Sequence, residues 1–199
     1  MPSLVDETIR LAGRQATILR SPANISTYVI DEITGVDSGK KQLDPYLDFE
    51  TAVRFLSDST VVCGDMVQIG SDYFLVMAVE VERAFNSIEF YRTRIYKCNS
   101  TVSVYYFSAT TKLFTTLHLS GVRCLITQVR AREWNDDKSL IIKGYGGRTQ
   151  PFQVFAQDDS GITKESALVD QSGRRFRVSK EFDVFITDGI LQSQIIWES

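Results

Sequence analysis

At 199 residues the chain suits one large domain or two of about 100 residues each, and 43% hydrophobic with 24% charged residues allows a packed core. The net charge of −3 is uneven: residues 1–100 carry 10 Lys+Arg against 14 Asp+Glu, and residues 101–199 carry 12 against 11. Neither half has the basic surplus with which a free-standing duplex binder neutralises phosphates, so autonomous DNA binding is disfavoured.

Cys63, Cys98 and Cys124 are an odd number without C-x-x-C spacing, which argues against a disulfide scaffold or a zinc knuckle. Asp6 and Glu7 stand where a signal peptide would be positive, and the longest apolar run, Tyr73 to Val79, is too short to cross a bilayer as a helix. Folding in a reducing cytoplasm, away from membranes, is expected.

The chain opens on a helix signal. Ser3 can cap, Asp6 and Glu7 suit the first turn, Val5, Ile9 and Ala12 form one stripe, and Gly13 is a natural stop. From Gln15 the period becomes two, and Ala16 to Arg20 and Ser26 to Ile30 read as strands before the turn-forming cluster Thr34 to Gly39. Residues 40–60 fit a strand or a helical turn.

Gly64-Asp65-Met66-Val67-Gln68-Ile69-Gly70-Ser71-Asp72-Tyr73-Phe74-Leu75-Val76 is a β-hairpin pattern with its turn at Gly70 to Asp72. Further strands are expected over 88–97, 101–108, 113–119, 123–130 and 139–145, with turns at 108–111, Ser120-Gly121, 135–137 and 144–147. Strands this frequent, without long helical patterns between them, predict a mainly β chain of two small barrel- or sandwich-like modules behind a short N-terminal helix. Gly70, Tyr73 and Leu75 have counterparts in Gly173, Phe176 and Val178, either as a duplication or as features any two β-hairpins share; a duplication divides the chain near residue 100, into modules 1–100 and 101–199.

Chemistry-bearing patterns are sparse. His118 is the single histidine on which a triad or a Cys-His pair would depend, and between Leu117 and Leu119 it reads as a strand residue facing solvent or a hydrogen bond. Gly144 to Thr149 lacks the Gly-Lys-Ser/Thr ending and the following helix of a phosphate loop. Asp136-Asp137 and Asp158-Asp159 are adjacent carboxylates beside turn residues. No catalytic residue, cofactor or metal is expected. Arg130, Arg132, Lys138, Lys143 and Arg148 make one stretch locally basic, either as a solvated strand face or as a loop facing a partner or DNA, where repetition around a ring multiplies a modest charge.

The order of the first half resembles the head–tail joining proteins of tailed bacteriophages, the connector, stopper or head-closure group. The residues that carry the resemblance are Leu4 to Leu11 as the helix, Ala16-Thr17-Ile18-Leu19-Arg20 as the strand, and Gly64-Asp65, Val67, Ile69-Gly70, Tyr73 and Leu75-Val76 as the hairpin. The resemblance covers about half the chain, which is about twice the length of a small stopper.

It implies a non-enzymatic structural protein of the virion neck, assembled in the host cytoplasm. Such a protein forms a homo-oligomeric ring between portal or adaptor and tail proteins, and leaves a channel in which the genome can make non-specific contacts. The segment from Thr34 to Tyr46 and the region 130–150 are the candidate interface loops. Two rivals are a tail-completion or baseplate adaptor, and an enzyme or carbohydrate-binding module on a β-sandwich, for which Trp134 is the candidate platform residue.

Overall fold

A computed structural model describes residues 4–20, 23–31, 50–84, 87–111, 113–128, 152–178 and 184–198. The chain divides into two compact units, Met1–Cys98 and Asn99–Ser199. In the first, helix α1 (Leu4–Ala12) precedes strands β1 (Arg14–Leu19), β2 (Ile25–Asp31), β3 (Glu50–Leu56), β4 (Met66–Ile69), β5 (Asp72–Ala84) and β6 (Ser87–Lys97). They form a closed antiparallel barrel in the order β1-β2-β3-β6-β5-β4, with β4 returning to β1. Alternation dictates its filling: Ala16 and Ile18 point in while Gln15, Thr17 and Leu19 do not. They meet Val29, Val53, Phe55, Val67, Val76 and Ile95 in the core.

The helix packs differently from its expected stripe. Ile9 is buried, but Ala12 is exposed and the second buried residue is Asp6. The reason is polar: Ser57 donates to the Asp6 carboxylate from its backbone N at 2.9 Å and from its Oγ at 2.6 Å. Arg10 adds an ion pair with Asp58 at 3.1 Å. The helix stops where Gly13 N donates to Ile9 O at 2.9 Å. A Cβ on Gly13 would lie 2.3 Å from Ile9 O and 2.6 Å from Val29 O, so the chain enters β1 through a space that excludes any side chain.

The second unit contains β7 (Ser100–Ser108), β8 (Leu113–Gln128), β9 (Phe152–Gln157), a 3-10 turn (Asp158–Ser160), β10 (Ala167–Asp170), β11 (Arg175–Val178), β12 (Phe185–Thr187) and β13 (Ile190–Glu198). Its sheet runs β11-β10-β7-β8-β9-β13-β12, and β13 also pairs with β11. Six strands therefore close, and β12 lies beside β13. Val102, Val104, Cys124, Val154, Ala156, Leu168, Phe176 and Ile195 fill this barrel.

Where a turn was expected at Ser120-Gly121, β8 continues as one strand of 16 residues. Val122 pairs with Val102 and Leu119 with Val104, so two residues of β8 oppose one of β7. Gly121, at φ 78°, takes up the extra residue as a β-bulge instead of reversing the chain. The expected strand at 139–145 falls outside the described residues. The ambiguous stretch 40–60 contains the strand β3.

The two barrels share one plan. With β1 to β5 matched to β7 to β11, and β6 to β13, both rings have the same order and the same register. Ala16 faces Ile69 and Thr27; Val102 faces Asp170 and Val122. Val53 faces Asp31 and Thr93; Val154 faces Ile126 and Ser193.

The loop before each hairpin is also shared. Val62 N donates to Asp65 Oδ2 at 2.8 Å, and Thr163 N donates to Ser166 Oγ at 3.0 Å. Gly64 and Glu165 both take the left-handed conformation, at φ 86° and 69°. The correspondence expected from sequence is one residue out along β5. Hydrogen bonding matches Val76 with Val178 through Asp65 and Ser166, which aligns Phe74, not Tyr73, with Phe176. The cause is turn length: Gly70-Ser71 joins paired Ile69 and Asp72, whereas Gln171-Ser172-Gly173 joins paired Asp170 and Arg174.

Candidate interaction surface

The basic residues Arg130, Arg132, Lys138, Lys143 and Arg148 lie outside the described residues, as do Thr34 to Tyr46, Trp134, Asp136-Asp137 and Gly144 to Thr149. Asp158 and Asp159 are exposed in the 3-10 turn. Among the described residues no group of three or more His, Cys, Asp and Glu is placed to hold a metal ion. No helix among them is long and apolar enough to cross a membrane.

His118 is exposed on β8, and its ring stacks on Tyr106 with centroids 4.3 Å apart. Tyr106 Oη donates to Gly161 O at 2.8 Å, tying the end of the barrel strand to the loop behind β9. In the first barrel Arg20 occupies the matching position and donates to Thr60 O at 3.1 Å. Arg20 Nε also donates to Asp65 Oδ1 at 3.1 Å, forming a two-bonded pair with a nearly buried carboxylate. Both ties hold the hairpin loop.

Asp170 locks the second hairpin. Its carboxylate accepts from Ser172 N at 2.8 Å, Arg174 N at 2.9 Å and Arg174 Nε at 2.7 Å. Burial pushes its pKa up, but the Arg174 side chain and the two backbone donors outweigh burial and hold it below the ordinary value of 3.8.

Each barrel extends a different hairpin. In the first, β5 and β6 continue to Ala84 and Ser87, with Glu80 opposite Arg92 and Glu82 opposite Phe90. In the second, the extension is the β7–β8 ribbon. β10 pairs with β7 over Val102–Tyr105 and β9 pairs with β8 over Leu125–Gln128, so the ribbon runs on past both. Between Leu113 and Val122 there is no Asp, Glu, Lys or Arg.

Alternation is broken along this ribbon, because the register of β7 against β8 shifts between Val102 and Val104, between Val104 and Tyr105, and between Tyr106 and Phe107. Phe114 lies under the guanidinium groups of Arg177 at 4.7 Å and Arg175 at 5.8 Å, and His118 lies against Tyr106. Leu113, Leu117 and Leu119 are 60%, 53% and 41% exposed, but they share no single face, since Leu117 pairs with Tyr105 and Leu119 with the neighbouring Val104. Leu113 to Leu119 is legible as a strand in the sequence, but the bulges that break its alternation are not.

A second apolar feature belongs to the first unit. Leu4, Val5, Thr8 and Ile9 of α1, with Ile30, Asp31 and Arg54 of the barrel, line an open groove of about 430 Å³. Leu4 and Leu11 stand 83% and 88% exposed on the helix. Arg54 is held over the Phe90 ring at 4.7 Å, and Asp31 is paired with Arg14.

No protein-family model, curated protein or solved structure matches the chain.

Proposed function

We propose that the chain is a structural protein of the bacteriophage neck, which forms a homo-oligomeric ring between portal or adaptor and tail and leaves a passage for the genome. The observation that carries this reading is how the two stretches behind the resemblance meet. Strand β1 and hairpin β4–β5, far apart in sequence, are hydrogen-bonded neighbours, with Ala16 opposite Ile69 and Ile18 opposite Val67. Arg20, which ends the first stretch, pairs with Asp65, which opens the second. The resembling residues thus form one structural unit, with the short helix docked on the same barrel.

In this reading function lies in shape and contact. Closed barrels satisfy their own strand edges and remain rigid. The hairpins and the helix then serve as the surfaces for neighbours, and no catalytic step is assigned.

Negative-stain microscopy with mass measurement, on the purified full chain alone and mixed with a candidate portal protein, tests the reading. Rings of uniform size that dock on the portal are expected. A monomer that joins neither assembly overturns it.

A further inference from the structure

We propose that the end of the second barrel, at Trp197 and Arg174, is a binding site for an uncharged sugar, with a pyranose ring stacked on the indole and its hydroxyls bonded by the guanidinium. The site is independent of the ring-forming reading above. It lies where the two barrels differ most in chemistry. Phe74 and Phe176 are equivalent, and the residue paired with each is Lys97 in the first barrel and Trp197 in the second. Lys97 is neutralised by Asp72 at 2.7 Å, whereas Trp197 stands 51% exposed.

Residues directly opposite on paired strands share a face, so Trp197 lies on the same side of the sheet as Phe176. Phe176 is buried and meets the Phe152 ring at 5.5 Å, which gives the indole an aromatic floor. Arg174 is fixed beside it. Its Nε donates to Asp170 Oδ2 at 2.7 Å, and its guanidinium carbon lies 5.9 Å from the centre of the Phe176 ring. The Arg174 side chain is still 57% exposed, and among the described residues no acceptor meets its Nη groups.

Charge selects the ligand. The nearly buried Asp170 carboxylate already neutralises Arg174, so the pair presents hydrogen-bond donors without net positive charge. A phosphate or carboxylate would approach the charge of Asp170 as well, and a nucleic acid strand needs several cations. Hydroxyl oxygens accept from Nη without that conflict, while the weakly positive C–H face of a pyranose suits the negative face of the indole. A proline-rich segment would need an aromatic-lined groove rather than one exposed ring.

Isothermal titration calorimetry of the full chain with cellobiose, maltose and diacetylchitobiose tests the site. At least one is expected to bind with a Kd of about 1 mM or tighter. Trp197→Leu keeps an apolar side chain without a flat ring and is expected to weaken binding about tenfold, whereas Trp197→Tyr stays within about threefold of wild type. Circular dichroism checks that both variants remain folded, and Trp197→Phe replaces either one that does not. Absence of binding by all three sugars overturns the proposal, as does binding that Trp197→Leu leaves unchanged or that Trp134→Phe removes. Tighter binding of a proline-rich peptide or of single-stranded DNA than of any sugar also overturns it. Ring assembly, read by microscopy, is unaffected by each of these outcomes.

Discussion

The two barrels hold the same loop in the same place with different chemistry. In the first, Arg20 reaches Thr60 O and grips Asp65; in the second, Tyr106 reaches Gly161 O, and Ser166 stands where Asp65 would. What is kept is the location of the tie and the backbone pattern around it, including the left-handed residue at Gly64 or Glu165. A fold of this type fixes where a loop must be anchored and leaves the anchoring group open.

The largest effect is expected at the charged tie. Asp65→Ala strands a guanidinium against a nearly buried site and leaves Val62 N without its acceptor, a loss of about 3–5 kcal/mol by urea denaturation. Transplanting the second barrel's chemistry, Arg20→Tyr with Asp65→Ser, should recover about half of that loss, since a hydroxyl then bonds the Thr60 carbonyl and another bonds Val62 N. A double variant no more stable than Asp65→Ala breaks the equivalence of the two ties.

Asp170 ranks next. Asp170→Ala removes an acceptor of three hydrogen bonds, one of them from Arg174 Nε, and should cost about 2–3 kcal/mol at neutral pH. Its folded pKa lies below its unfolded value, so this stabilisation is present above about pH 4 and is lost as pH falls through the folded value. The stability gap between wild type and Asp170→Ala should therefore shrink on acidification below pH 4. A gap constant down to the lowest pH at which both chains fold would contradict the assignment.

The neutral tie should matter less. Tyr106→Phe keeps the ring stacked on His118 and removes the bond to Gly161 O, a cost of about 1 kcal/mol. Gly121→Ala meets open space but must adopt φ 78°, so a loss of about 1 kcal/mol is expected from backbone strain alone. A stabilising Gly121→Ala would mean that the ribbon is not bulged there.

Much of the fold was legible because alternation is strong where one face is buried. Ala16, Ile18, Val67 and Ile69 announce β1 and β4, and Gly70-Ser71 announces the turn between β4 and β5. The repeat shows in the sequence at Gly70, Tyr73 and Leu75 against Gly173, Phe176 and Val178, one residue out along β5. Core positions matched across the barrels exchange freely among apolar residues, as Phe55 does with Ala156 and Val29 with Cys124, so register and not identity carries the likeness.

Ala12 departs from the helical stripe because periodicity carries no sign that Ser57 draws Asp6 inward. The bulge at Gly121 is not legible because glycine after serine signals a turn as readily as a kink in a strand.

The shared plan of the two units consists of two closed rings with one register. Cross-strand contacts measured by NMR on the full chain test this most directly at the three closures: Ala16 to Ile69, Val102 to Asp170 and Phe176 to Trp197. All three are predicted to be present together. A chain in which β1–β4 or β11–β13 contacts are absent, or are displaced by one residue relative to the other barrel, would contradict it.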